Sequence, residues 1–264
     1  MIESLWRCRE VDNNKTKLFL TKYLKNYNPE DAQIKLKISH IYRVAELSKR
    51  LATMLNLSEE DILLAELIGL LHDIGRFEQI KNYHTFLDKE SIDHAEYGNK
   101  ILFEDDLIRN FITEDKYDEI IKKAISNHNK PCISNDLTDY ERLHAMIIRD
   151  ADKTDILYLS TVGDEKTIFE NSNLCKETIT DEIYYDLIQR EKINYNNIHS
   201  AADILLCHFA YIYDYNFSTM LKFVDSKGYI DKMYNRFSFE DDITEERYKN
   251  IYLHTKTYIK KKTG

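Results

Sequence analysis

Hydrophobic residues recur along much of this chain at the three- and four-residue steps of an α-helix. The segment ILLAELIGLLH, within about 59–73, is apolar almost all round, which predicts a central buried helix. Ser58 is placed to cap its start, and Asp73 with Gly75 marks its end. An amphipathic helix is predicted just before it, from one stripe made of Leu36, His40, Val44, Leu47, Leu51 and Leu55.

The rest of the chain has the same helical character, with one long interruption. Residues 76–90 are predicted to be an irregular connection with aromatic anchors, and a loop of that length is more often functional than not. Further helices are predicted from Ser91 to about 105, over 116–128 and over 139–160, then, after a break at 161–164, as four more within 179–261.

Glycine and proline are scarce, with 6 and 2 among 264 residues. Scarce turn residues favour long helices over many short strands, so the predicted fold class is all-α. The hydrophobic content of 43% is enough for a sizeable core.

The formal net charge of −9 offers no global basic surface for duplex nucleic acid. The N-terminal residues lack a signal-peptide pattern, and no apolar run approaches the roughly 18 residues that span a membrane. Cys8, Cys132, Cys175 and Cys207 lie far apart without a C-x-x-C pair, which favours plain thiols over a disulfide framework or a zinc knuckle. We therefore expect a cytoplasmic protein with no membrane partner.

Candidate metal ligands occur in five stretches: His40, the pair His72-Asp73, His94, His128 and Asp152. Imidazole and carboxylate together suit Fe, Mn, Zn or Ni, and one carboxylate can bridge two metals. A lone histidine on an apolar stripe is more often a core residue with a hydrogen-bond partner. Several such groups, each costing about 1–3 kcal/mol if unsatisfied, are satisfied together by one shared metal centre.

The phrases HDIGRFEQ and SIDHAEYGNKIL, with the outer histidines and aspartate, resemble a bacterial branch of the HD-domain superfamily of metal-dependent phosphohydrolases. The resemblance covers about residues 34–160. It implies a single all-α domain, a helical bundle whose metal-binding core is followed by a C-terminal extension over 161–264. It also implies ligand sets for two divalent transition metals: His40, His72, Asp73 and Asp152 for one, and His94, His128 and a bridging Asp73 for the other.

Two departures bear on the substrate. Many two-metal members carry a pair of histidines where this chain has His128-Asn129, and the glycine-tyrosine-proline signature of the cyclic dinucleotide phosphodiesterases is absent. Both argue against assigning that substrate by resemblance.

The expected activity is hydrolysis of a nucleotide or another small phosphate ester by a metal-activated water. No G-x-S-x-G or Cys-His signature provides a protein nucleophile, which fits this expectation. Two alternatives stay open: a mixed-valent di-iron oxygenase of the same fold, and a nucleotide-binding regulatory module without catalysis. Intact ligands argue against the regulatory module, because degenerate HD modules often lose the HD pair.

Two cations beside the predicted ligands are candidates for catalytic residues together with Asp73. Arg76 is a candidate phosphate ligand through its bidentate fork, or else a structural cation paired with Glu78 or the helix dipole. Lys153 has the same two interpretations. Asp93 and Asp150 are either acceptors that orient metal-bound imidazoles or solvated carboxylates. Among the other histidines, treated as structural or surface residues, His84 stands out because it follows the HD turn.

Overall fold

A computed structural model describes residues 11–169 and 173–264. Within these residues the regular elements are helices and there is no strand, so the all-α prediction is confirmed. The chain divides into two compact units, Met1–Ala151 and Asp152–Gly264. The single-domain organisation stays a prediction.

The first unit is built around a buried central helix. In helix α3 every residue from Leu64 to Leu71 is buried, as its apolar sequence predicts. Gly69 lets α2 approach α3 closely, because a Cβ there would lie 2.6 Å from the Cα of Ala45. The helices of this unit are α1 (Asn13–Leu24), α2 (Ala32–Met54), α3 (Glu59–Leu71), α4 (Ile74–Tyr83), α5 (His94–Asn99), α6 (Asp118–His128) and the first half of α7 (Asp139–Val162).

The prediction of an irregular connection over 76–90 is wrong, because α4 occupies Ile74–Tyr83. Gly75 does not end a helix. A Cβ on Gly75 would lie 2.2 Å from the carbonyl oxygen of His94, so this glycine allows α4 to pack directly on α5. The irregular segment begins only at His84, which ends α4 in the left-handed conformation with φ of 57°.

The start of α5 also differs from the prediction. Asp93, not Ser91, caps this helix, since its side chain accepts from the backbone N–H groups of Ala95 and Glu96. The Ser91 hydroxyl instead donates to the carbonyl of Leu87. The predicted end near residue 105 is correct, because a π-helical turn extends α5 through Glu104.

The second unit has its own hydrophobic core, in which Phe209 and Tyr248 are fully buried. Its sequence predicts four helices within 179–261, and the structure has five there. Two of the five are separated only by Gly228, whose φ of 63° ends one helix directly before the next begins. Beyond the end of α7, the helices are α8 (Glu165–Ile168), α9 (Asp181–Arg190), α10 (Ala201–Ala210), α11 (Ser218–Lys227), α12 (Tyr229–Arg236) and α13 (Asp242–Thr263).

Two other sequence predictions concern cysteines and membrane segments. Cys132, Cys175 and Cys207 are free thiols, and Cys8 lies outside the described residues. No helix in the described parts of the chain combines the length and the apolar character needed to cross a membrane.

Candidate metal centre

Asp73 lies on the two-residue link between α3 and α4, 2% exposed, and four histidines surround its carboxylate. Its Oδ2 is 3.4 Å from Nε2 of His40 and 3.6 Å from Nε2 of His72. Its Oδ1 is 3.4 Å from Nε2 of His94 and 3.7 Å from Nε2 of His128. Each oxygen therefore faces its own pair of histidines, as a carboxylate that bridged two metals would.

The four histidines are buried and come from four different helices. His40 lies within α2, and His72 follows the last residue of α3. His94 is the first residue of α5, and His128 is the last residue of α6. Three helix ends and the middle of α2 thus bring distant parts of the sequence to one point.

The spacing of the donor atoms fits a metal. Metal–nitrogen bonds of about 2.0–2.1 Å place neighbouring ligand atoms of a tetrahedral site about 3.3–3.4 Å apart. Each histidine nitrogen lies 3.4–3.7 Å from its Asp73 oxygen. Both sets, His40 with His72 and Asp73, and Asp73 with His94 and His128, offer ligand atoms within 4.8 Å of one another.

Hydrogen bonds at the far side of three imidazole rings fix which nitrogen faces the carboxylate. Nδ1 of His72 donates to the carbonyl of Gly69 at 2.9 Å, and Nδ1 of His128 donates to that of Ile125 at 2.7 Å. Both carbonyls belong to a last helical turn, where they lack an intrahelical partner. With the hydrogen on Nδ1, a neutral ring presents the lone pair of Nε2, which is the form that binds metals.

His94 is oriented by a carboxylate instead of a carbonyl. Its Nδ1 donates to Oδ2 of Asp88 at 2.6 Å. Its Nε2 then lies 3.0 Å from Nε2 of His128. When both rings carry a hydrogen on Nδ1 alone, the lone pairs of the two Nε2 atoms face each other at that distance. Such an arrangement is repulsive unless a cation lies between the two nitrogens.

The charges of the buried groups match those of metal ligands. Burial, and next the nearby Arg76, lower the pKa of His94 to about 3, so this ring is neutral at pH 7. Burial works against ionisation of Asp73, but Lys37 and the surrounding histidines outweigh it and hold the pKa of this carboxyl well below its usual range. At neutral pH the centre therefore contains the charged carboxylate of Asp73 and the neutral imidazole of His94.

Lys37 is a site residue that sequence reasoning missed. Its ammonium lies 2.6 Å from Oδ2 of Asp73, and its side chain is only 13% exposed. It precedes His40 by three positions in α2, so both side chains lie on one helix face. That spacing was the available signal, but a lysine on a helix is usually solvated.

Asp88 is the second missed residue, and it takes the orienting role predicted for Asp93. Asn129 donates to Asp88 at 3.3 Å and to Asp93 at 2.9 Å. Asn129, which stands where many two-metal members have a second histidine, thus helps to hold the Asp88 carboxylate that orients His94. Asp93 caps α5 and pairs with Lys130. Asp150 is fully buried in α7, which excludes the solvated alternative for that residue.

Arg76 lies beside the centre with one end of its guanidinium anchored. Its Nη1 is 2.6 Å from both Oε1 of Gln79 and the carbonyl of Phe86, and 2.8 Å from Oδ1 of Asp88. Its Nε lies 3.7 Å from Oδ1 of Asp73. The structural partner is therefore Asp88 rather than the expected Glu78. Contact of Arg76 with a substrate phosphate stays a prediction.

Asp152 and Lys153 belong to the second unit, where α7 continues. The buried ammonium of Lys153 forms an ion pair with Asp214, which favours the structural interpretation of this lysine. The assignment of Asp152 as a metal ligand and the catalytic role of Lys153 stay predictions. His84 is exposed at the end of α4.

Fold and site together define an all-α protein with a buried cluster of histidines around one aspartate. Residues 38–157 match the family model of the HD domain, which supports the resemblance to the HD superfamily and with it a metal-dependent hydrolase. The match includes all six predicted ligands, from His40 to Asp152. No curated protein and no solved structure gives a match.

Proposed function

We propose that this protein is a metal-dependent phosphohydrolase that cleaves a nucleotide or another small phosphate ester at a centre of two divalent metals. The supporting observation is the pair of Nε2 atoms of His94 and His128, 3.0 Å apart and both turned toward Oδ1 of Asp73. A single metal held by His40 and His72 at Oδ2 of Asp73 would not account for the second pair of histidines at Oδ1.

The ligand assignment follows the two faces of Asp73. His40 and His72 would hold one metal at Oδ2, joined by Asp152 as the resemblance implies. His94 and His128 would hold the other at Oδ1. Metals bound there supply a water of lowered pKa and positive charge for the phosphate oxygens. Fe, Mn, Ni and Zn all accept this donor set.

Two protein cations would complete the phosphate site. Lys37 contacts Oδ2 of Asp73, and Nε of Arg76 lies near Oδ1 of the same carboxylate. The positive charges of these two side chains, added to those of the metals, exceed the single negative charge of Asp73. The site therefore favours a substrate that carries negative charge itself. The anchored Nη1 of Arg76 would hold the guanidinium in position, so that binding costs less side-chain entropy.

The test is metal analysis of protein purified without added metal, followed by a screen of nucleotides and phosphorylated metabolites for phosphate release. Asp73→Asn is the matched control, because it keeps the side-chain shape while removing the bridging charge. We expect about two metals per chain and a hydrolysed substrate that Asp73→Asn leaves intact.

The alternatives predict other results. Iron with oxygen uptake on an organic substrate, and no phosphate release, would support the di-iron oxygenase. Tight binding of a nucleotide without turnover at any metal tested would support the regulatory module. Equal phosphate release by Asp73→Asn would show that a contaminating phosphatase is responsible and would contradict the proposal.

A further inference from the structure

The second unit contains a cavity of about 590 Å³ that takes no part in the metal centre. Its volume lies within the range of about 300–1,000 Å³ that is usual for small-molecule sites. The lining residues come from the end of α7 and from α11 and α12, namely Tyr158, Thr161, Val162, Lys227, Tyr229, Lys232, Asn235 and Arg236.

Three of the lining residues, Lys227, Lys232 and Arg236, are cations, and none is an acid. Within the described residues, none of the three has a carboxylate at ion-pair distance. Lys227 and Lys232 instead lie over aromatic rings, at 5.2 Å from that of Phe223 and 5.8 Å from that of Tyr229. Three cations around one cavity repel one another, and a bound anion would relieve that repulsion.

The absence of ion pairs at the cavity is notable because the chain carries a net charge of −9. Asp225 and Asp231 are close in sequence to the two lysines, but both pair with Lys256, at 3.5 and 3.0 Å. Asp164 is close enough to feel the charge of Arg236 but makes no ion pair with it. Among the residues that the structure describes, the three cations of the cavity are therefore not neutralised by a carboxylate at ion-pair distance.

Arg236 is held in place for binding. Its guanidinium donates from Nη1 to the carbonyl of Ser160 at 3.1 Å and from Nη2 to that of Gly163. A guanidinium has five N–H donors, so these two bonds leave donors for a ligand. A fixed planar fork suits phosphate oxygens and loses little conformational entropy on binding.

An aromatic pair provides a surface of a different kind in the same cavity. The rings of Tyr158 and Tyr229 have centroids 6.1 Å apart and are inclined by 55°. Burial, and next the nearby Asp155, raise the pKa of Tyr229, so its hydroxyl is neutral at physiological pH. Aromatic rings beside cations suit a ligand that carries a planar base as well as phosphate.

We infer that this cavity is a second ligand site, separate from the metal centre, and that it binds a nucleoside phosphate. Lys227, Lys232 and Arg236 would hold the phosphate groups, and Tyr158 and Tyr229 would pack against the base. The site has no carboxylate for a metal among its lining residues, so binding there would not depend on a divalent metal.

The experiment is calorimetric titration of the full-length protein in a chelator, with the non-hydrolysable α,β-methylene analogue of ADP and with pyrophosphate. The chelator removes metal-dependent binding, so failure of the proposed hydrolase activity would not affect the result. The test variant is Lys227→Glu with Lys232→Glu. The matched control is Lys222→Glu with Lys249→Glu, which makes the same charge change at exposed lysines of the same unit.

We expect saturable binding of the ADP analogue, weakened about tenfold or more by the test pair and less than about twofold by the control pair. Tyr229→Leu should weaken the ADP analogue but not pyrophosphate. Three results would overturn the inference: no saturable binding to the unaltered protein, equal loss in both charge-reversed pairs, or an unchanged affinity for the ADP analogue in Tyr229→Leu.

Discussion

Buried polar groups are arranged differently in the two units of this protein. In the second unit, two buried polar side chains are each paired with one other side chain: Lys153 with Asp214, and Ser160 with His208 at 2.8 Å. In the first unit, four histidines converge on Asp73. Such a pair satisfies one donor with one acceptor, whereas the convergent cluster gathers several possible metal-ligand atoms at one point.

This difference separates structural polar residues from a binding centre. A satisfied buried pair contributes to stability or is neutral, and it needs nothing from outside the protein. Nitrogen atoms gathered as closely as Nε2 of His94 and of His128, 3.0 Å apart and both near Asp73, are compatible with a shared divalent cation.

The largest effect is expected for Asp73→Ala, because Asp73 faces both pairs of histidines. We expect loss of both metals and of hydrolysis, with helical content largely retained. Metal content, phosphate release and far-UV circular dichroism measure these outcomes. Asp214→Ala removes an aspartate of the second unit and should leave metal content unchanged. Full activity in Asp73→Ala would refute its assignment as the bridging ligand.

A smaller effect is expected when only one face of Asp73 loses its histidines. His94→Ala and His128→Ala should each lower metal content from near two to near one per chain, since His40 and His72 still serve Oδ2. His208→Ala, which removes a locally paired histidine, controls for general damage. A single metal bound tightly by the unaltered protein at every concentration would contradict the two-metal centre, although hydrolysis by one metal would remain possible.

Much of this centre is predictable because helical periodicity places His40, His72 and His128 on apolar stripes. The adjacent His72-Asp73 pair then carries the resemblance to the HD superfamily, which the family-model match over residues 38–157 supports. The contact between Asp88 and His94 is not predictable in this way, because Asp88 lies in a segment without periodicity. Its position depends on how the chain folds back after α4.

The misplaced loop has a similar cause. The sequence around Gly75 predicts a helix end, whereas in the structure this glycine marks a close contact between α4 and α5. A glycine required by a neighbouring backbone and a glycine required by positive φ look the same in sequence. Gly228, with φ of 63°, is the second kind, and only the structure distinguishes them.

An intermediate effect is expected for Arg76→Lys, which tests whether the anchored arginine also contacts substrate. If it does, the transition-state stabilisation calculated from kcat/KM should fall by about 1.5–3 kcal/mol, because the point charge of lysine cannot replace the planar fork of arginine. Metal content should be unchanged. A purely structural role, through Asp88 and Gln79, predicts a lower thermal midpoint instead. Measuring both quantities decides between them, and normal kinetics with a lowered midpoint would exclude Arg76 from the site.

The smallest effect is expected for Lys153→Met, which tests whether the ion pair between Lys153 and Asp214 in the second unit is purely structural. The Lys153 side chain is 8% exposed and that of Asp214 is 49% exposed, so water can solvate the carboxylate when the ammonium is removed. Methionine retains most of the apolar stem. The free energy of unfolding should therefore fall by only about 1 kcal/mol, with kcat/KM unchanged.

Asp214→Asn completes a double-mutant cycle with Lys153→Met. If the two residues act only on each other, the double variant should be about as stable as either single variant. A catalytic Lys153 predicts another pattern: reduced kcat/KM in Lys153→Met, near-normal kinetics in Asp214→Asn, and little change in either thermal midpoint. That result would restore Lys153 as a site residue. An ion pair with a single partner would then no longer show that a buried polar group is structural, because the ammonium of Lys153 would both pair with Asp214 and take part in the reaction.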